Sequence, residues 1–314
     1  MSILARPAVA ALAAKTMQGV TRLASRRASG AGSAAAWQAR FPEYPREVTR
    51  STVPTSVAPA PVTVYAPPAG TATRPPVHVN FHGGGYIMSM PEVDDGLCRV
   101  LAAEAGVVVV NVTYVVAPQH PFPAATTQAY DVVRWVAEHG AEHGWDGRRL
   151  TVGGQSAGGG LAAAVARQSL EQGGPSIALQ VLHYPPLDLA TSAKDKKAAV
   201  ARPVLRPWLG DIFDASYVPD PRERAHRLVS PAHSRDTADL EGIAPALVIT
   251  AEYDLLRNEA VRYAERLGAA GALVEHHDIA GADHGYDTKD DERARTTYAL
   301  IARHLRQATD AGTV

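Results

Sequence analysis

Apolar residues along this chain fall into two alternating patterns. Short continuous runs, such as Val107-Val108-Val109-Val110 and Ala246-Leu247-Val248-Ile249, alternate with longer stretches of amphipathic character. The first pattern suits strands covered on both faces, the second helices lying against a sheet. Together they predict strands over about 62–65, 77–82, 107–113, 150–155, 178–183, 246–251 and 272–277. Helices are predicted over about 94–105, 125–140, 157–172, 257–269 and 289–308. Strands alternating with helices specify an α/β fold with a mostly parallel central sheet and helices on both faces. The mixed pattern of 272–277 places that strand nearer an edge.

Two segments are expected outside the sheet. Residues 1–60 are rich in Ala, Arg, Ser and Pro, with no acid before Glu43. Their first part reads as an N-terminal helical cap; the alternative is a targeting or membrane-surface helix. A secretory signal is disfavoured because the apolar stretch Pro7–Ala14 is short, Ala-rich and soon broken by Lys15. Alanine buries little apolar area, so membrane contact here would be weak. Residues 188–230 carry the charge run Lys194-Asp195-Lys196-Lys197, read as a solvated loop, and then Pro207 to Phe213, read as a cap helix. This divides the chain into a cap segment (1–60), an α/β core (61–187 and 231–314) and a cap insertion (188–230). Trp208, Phe213 and Tyr217 either line an acyl pocket or simply pack the cap.

The candidate chemistry centres on Gly154-Gln155-Ser156-Ala157-Gly158, a Gly-x-Ser-x-Gly pentapeptide between a predicted strand and a small-residue helix. A serine on such a sharp turn is lifted from the sheet's carboxyl edge, at the positive end of a helix, and suits a nucleophile. The bland alternative is a Gly/Ser-rich loop. Upstream, a strand runs into His82-Gly83-Gly84-Gly85. Glycines let backbone N–H groups converge where no Cβ intrudes, so Gly83 and Gly84, with Ala157, are the candidate donors to a developing oxyanion. No Lys-Ser/Thr follows, which excludes a Walker-type phosphate loop. Asp254 ends an apolar β-branched run and is the candidate acid, with Glu252 as the alternative. His284, in a Gly-bracketed loop, is the candidate base; His276 and His277 at a strand end rank below it. The order Ser156, Asp254, His284 is that of an α/β-hydrolase triad. No His, Cys, Asp and Glu grouping has zinc-like spacing, His276-His277-Asp278 being too tight.

These motifs, with Tyr114, Ala117-Pro118-Gln119-His120-Pro121, Asp146–Gly159, Tyr184-Pro185, Asp254–Glu259 and His284-Gly285-Tyr286, resemble a bacterial member of the hormone-sensitive-lipase family of carboxylesterases. The resemblance spans about residues 60 to 305. It implies the α/β-hydrolase fold, a cap, and cofactor-free hydrolysis of short- to medium-chain acyl esters. Three positions depart from the family pattern: Gln155 stands where Asp is usual, Val115 replaces an Arg and Gln119 a Glu. Loss of two acids and a base near the nucleophile suggests correlated neutralisation, with Gln155, Gln119 and nearby backbone forming a neutral hydrogen-bond network. The same triad would serve an amidase, thioesterase, lactonase or acyltransferase. A non-catalytic receptor, such as the plant gibberellin receptor, has this fold without the catalytic histidine.

Composition agrees. The chain of 314 residues, 46% hydrophobic and 20% charged, suffices for one large core with a modest cap. A formal net charge of −1 argues against a nucleic-acid surface. Cys98 is the single cysteine and reads as a small core residue, compatible with a cytoplasmic location. No run of eighteen apolar residues crosses a membrane. A homodimer through an edge strand is expected by analogy only.

Overall fold

The computed structural model describes residues 2–27 and 33–310. Eight strands form one sheet: β1 (Val48–Val53), β2 (Ala60–Tyr65), β3 (Pro76–Phe81), β4 (Val108–Val112), β5 (Asp146–Gln155), β6 (Leu179–His183), β7 (Ala246–Ala251) and β8 (Leu273–Ile279). Their spatial order is β1-β2-β4-β3-β5-β6-β7-β8. The β1–β2 and β2–β4 pairs are antiparallel and all others are parallel. Every residue of β3, β4 and β7 is buried; β4 and β7 accordingly read as nearly continuous apolar runs, while β3 carries the buried polar side chains His78 and Asn80. β8 closes one edge, and its half-exposed pattern explains its mixed composition.

Helices cover both faces. Helices α3 (Asp95–Ala105) and α8 (Asp291–Asp310) pack on one face, while α4 (Ala124–His139), α5 (Ala157–Gln172) and α7 (Arg257–Ala269) pack on the other. Helices α1 (Pro7–Arg27) and α6 (Pro207–Tyr217) contact each other and form the cap, and α2 (Ser33–Ala39) lies before β1. No helix among the described residues is long and apolar enough to cross a membrane.

The boundary at residue 60 is corrected by the structure. Val48–Val53 pairs along its whole length with β2, so the sheet begins inside the segment read as cap. This strand is exposed over most of its length and carries Arg50 and Ser51, so it has no hydrophobic run to reveal it. Polar residues are what an unpaired sheet edge favours. Residues 28–32 of that segment, and 311–314 at the other end, lie outside the described residues.

The crossover direction reverses at the centre of the sheet. β3 lies between β4 and β5, so the connections leaving β3 and β5 diverge and open a crevice at the strands' carboxyl ends. The triple-glycine loop leaves β3 there, and Ser156 leaves β5 beside it.

Candidate active site

Ser156 occupies the turn between β5 and α5 with φ 52° and ψ −120°, a conformation costly for a residue with a side chain. The surroundings hold it there. Its N–H donates to His183 O at 2.9 Å, and its carbonyl accepts from Gly160 N–H at 3.1 Å. A Cβ at Gly154 or Gly158 would overlap the carbonyl oxygen of Phe81, so both flanking glycines are required by the close approach of β3 to the turn.

The sequence candidates converge. The Ser156 hydroxyl lies 2.9 Å from His284 Nε2, and His284 Nδ1 lies 2.7 Å from Asp254 Oδ2. With Nδ1–H donating to Asp254, Nε2 is left as the acceptor that faces the serine. Asp254 is 1% exposed, and its other oxygen accepts from Leu256 N–H at 3.0 Å. Burial works against charge on His284, but the Asp254 carboxylate outweighs it, assisted by Asp287 and Asp283, and raises His284 above its ordinary value. Glu252 instead accepts from Gly281 N–H at 2.6 Å, and His276 and His277 bond Thr250 and Glu275 on the sheet edge.

Gly83 lies against the turn: a Cβ there would stand 3.8 Å from Ser156 Cβ. Gly84 has φ +124° and approaches Met88 so closely that a Cβ would lie 2.5 Å from its carbonyl oxygen. Among the described residues, the N–H groups of Gly83 and Gly84 donate to no backbone or side-chain acceptor. Ala157 N–H, at the first helical position of α5, faces out from the helix start as every such amide does. His82 anchors this loop from below. It is fully buried, stacks on Tyr114 at 4.3 Å, and bonds Gly83 O at 2.6 Å. Burial lowers its pKa to about 4, so the ring is neutral.

Two cavities meet at Ser156. One, of about 280 Å³, is lined by Gly83, Gly84 and Gly85, His284, Tyr184 and apolar residues including Met88 and Leu209. The other, of about 30 Å³, is lined by Leu205, Leu255, Leu256, Lys196 and Asp214 among others and does not reach His284. Phe213 lines both. Trp208 and Tyr217 line neither. Trp208 is half exposed on the outer face of α6; Tyr217, one turn beyond Phe213, is buried and stacks on Tyr86 at 3.9 Å. The helical repeat of α6 turns Leu209 and Phe213 toward the cavities and carries Trp208 out of reach.

The neutral network expected around Gln155 and Gln119 is not present. Gln155 Nε2 donates to Asp287 Oδ2 at 2.6 Å, and Asp287, fully buried, also accepts from Tyr184 at 2.6 Å and Tyr298 at 2.9 Å. Gln119 belongs to a separate cluster and donates to Gln18 of α1 at 2.8 Å, while Gln18 donates to Ile87 O and Ala117 O. The acid that bonds position 155 is Asp287, from the loop that carries His284. Tyr184 then packs edge-on to the His284 ring, centroids 4.8 Å apart. Sequence reasoning missed Asp287, although its place three residues after His284 was a usable signal. It also read Lys196 as solvated, whereas its side chain is 7% exposed and pairs with buried Glu259 at 2.7 Å.

Known proteins resemble this chain in sequence and fold. Residues 78–288 match the family described as having the alpha/beta hydrolase fold. Esterase LipI of Mycobacterium tuberculosis is 36% identical over 260 residues, covering 80% of this chain and 75% of that protein. Carboxylesterase NlhH of the same organism is 36% identical over 252 residues, covering 80% and 76%. The structure of the Pyrobaculum calidifontis esterase in its monoclinic form overlays with a TM-score of 0.81 at 33% identity, covering 94% of this chain and 92% of that one. The chain therefore belongs to the α/β-hydrolase family, among the bacterial hormone-sensitive-lipase-like carboxylesterases.

Proposed function

We propose that this protein is a serine carboxylesterase that hydrolyses short-chain acyl esters through an acyl-enzyme. The observation that carries this is the continuous hydrogen-bonded series from Ser156 through His284 to Asp254, set where two cavities meet. His284 Nε2 takes the serine proton as Oγ attacks the ester carbonyl. Gly83, Gly84 and Ala157 N–H groups receive the negative oxygen, each contributing roughly 10²–10³ in rate. The carbon–oxygen bond to the alcohol then breaks, and the imidazolium returns the proton to the leaving alkoxide. Water activated by the neutral His284 attacks the acyl-enzyme, releasing the acid and restoring Ser156.

The protonation step assigns the two cavities. The leaving oxygen has to reach His284 Nε2, so the alcohol belongs in the larger cavity, which His284 lines. The acyl group then occupies the smaller one, and its volume of about 30 Å³ favours short chains. No metal or cofactor takes part in these steps.

Hydrolysis of p-nitrophenyl esters across acyl lengths, wild type beside Ser156→Ala, tests the assignment. Turnover that is highest at the shortest chains and absent from the variant is expected. Folded wild-type protein with no rate above the variant's on any chain would overturn it.

A further inference from the structure

The smaller cavity is lined by charge as well as hydrocarbon. Beside Leu205, Leu255 and Leu256 its lining includes Lys196 and Asp214, contributed by the cap insertion. Charged groups are out of place in the lining of a pocket that only has to hold a hydrocarbon chain.

The two groups are not spent on each other. Lys196 Nζ pairs with Glu259 Oε2 at 2.7 Å, and Glu259 is fixed in turn by the N–H groups of Leu187 at 2.8 Å and Asp188 at 3.1 Å. Burial opposes the ammonium, but Glu259 and Asp214 outweigh it and keep Lys196 charged. Asp214 makes no ion pair with Lys196, and among the described residues no side chain or backbone group donates to its carboxyl. Burial pushes that carboxyl up to about 7 in spite of the nearby lysine. A donor and an acceptor thus face one small space without closing it.

We propose that Lys196 and Asp214 form a polar clamp for a hydroxyl on the acyl chain, so that the preferred substrates are esters of short hydroxy acids. A hydroxyl suits both partners, because it donates to Asp214 and accepts from Lys196. A carboxylate does not: Glu259 and Asp214 set two acids against one lysine, and a further negative charge would meet net repulsion. The cavity's volume of about 30 Å³ keeps the chain short. The inference rests on the esterase function and on the smaller cavity being the acyl side.

The test compares kcat/KM for ethyl esters of butyrate, of 2-, 3- and 4-hydroxybutyrate, and of hemisuccinate, followed by acid release. Wild type should favour one hydroxybutyrate over butyrate by roughly tenfold or more, the size of a hydrogen bond to a charged group. Hemisuccinate should be the poorest. In Asp214→Leu the hydroxyl preference, read as the ratio of kcat/KM for hydroxybutyrate over butyrate, should fall to within about twofold. Should that variant fail to fold, inhibition of wild-type butyrate turnover by the free primary amides of the same acids gives the same comparison. Hydrolysis of all the butyrates at similar rates overturns the clamp and leaves the esterase standing. A preference for hemisuccinate, or a hydroxyl preference unchanged in Asp214→Leu, also overturns it. Folded wild type inert on every ester overturns the esterase function and the clamp with it.

Discussion

Gln155 and Asp287 meet at 2.6 Å, amide N–H to carboxylate, directly behind the nucleophile. Asp287 is fully buried and draws its other hydrogen bonds from Tyr184 and Tyr298. The site therefore holds one acid, served by three neutral donors. Gln155→Asp would set two carboxylates together in a place without solvent. One would have to take up a proton, and the protein should lose on the order of 3 kcal/mol at neutral pH. Adding Asp287→Asn moves the single acid to position 155, within reach of Tyr298, which already lies 3.5 Å from Gln155. The double variant should recover part of the loss, giving a coupling of at least about 1 kcal/mol in a double-mutant cycle by urea unfolding. Strictly additive losses would show that the two positions do not share a charge.

The pH profile follows from the acids around His284. The base must be neutral to accept the serine proton, and its pKa is raised, so activity should rise with pH along a limb centred above the ordinary imidazole value of about 6.5. Asp287 is one of the charges favouring the imidazolium. Asp287→Asn should shift the limb of kcat/KM to lower pH, because the protonated ring is then less stable. Asp254→Asn should cost roughly 10³–10⁴ in kcat, since it also removes the partner that fixes the ring tautomer. An Asp287→Asn limb that stays in place or moves upward would contradict a Coulombic role.

That Ser156, His284 and Asp254 would meet, with glycines beside them, was legible in the sequence because each position is held by local geometry. Ser156 needs Gly154 and Gly158 to pass Phe81, and the glycines after β3 stand against Met88 and the Ser156 turn. Such needs leave short, contiguous motifs. Strands β4 and β7 were legible for a similar reason, since burial on both faces writes a nearly unbroken apolar run. What could not be read depends on residues distant in the chain. Asp287 and Gln155 are 132 positions apart, and Lys196 faces Glu259 from a run of charges that reads as solvent-exposed. β1 was missed because an edge strand with Arg50 and Ser51 carries neither periodic signal.

Arg99 ties the N-terminal segment to the core. It is 4% exposed; its Nε pairs with Asp95 at 2.9 Å, and its terminal nitrogens donate to the carbonyls of Phe41 at 2.9 Å, Tyr44 at 2.6 Å and Gln38 at 3.1 Å. A lysine keeps the charge but cannot span these acceptors with one ammonium. Arg99→Lys should therefore destabilise by about 2–4 kcal/mol, seen as a lower urea midpoint at an unchanged slope. A change within 0.5 kcal/mol would mean that the carbonyl cage contributes little.

With the acyl group assigned to the smaller cavity as proposed, Phe213 sets the acyl limit through its contact with the triple-glycine loop. Its ring lines both cavities and lies so near Gly85 that a Cβ there would stand 2.6 Å from it. Gly85 also has φ +59°, so the loop turns beneath the ring in a conformation that favours glycine. Removing the ring in Phe213→Ala should join the smaller cavity to the larger one and lengthen the preferred acyl chain by about two to four carbons. The triad is untouched, so Ser156 should still be acylated, with loss appearing mainly in KM for the shortest esters. Gly85→Ala works in the opposite sense: the added methyl pushes the ring toward the cavities, and activity should narrow to acetyl esters while falling overall. Rates for p-nitrophenyl acetate through dodecanoate read both effects. An optimum that stays at the same length in Phe213→Ala would show that the acyl chain does not pass this ring.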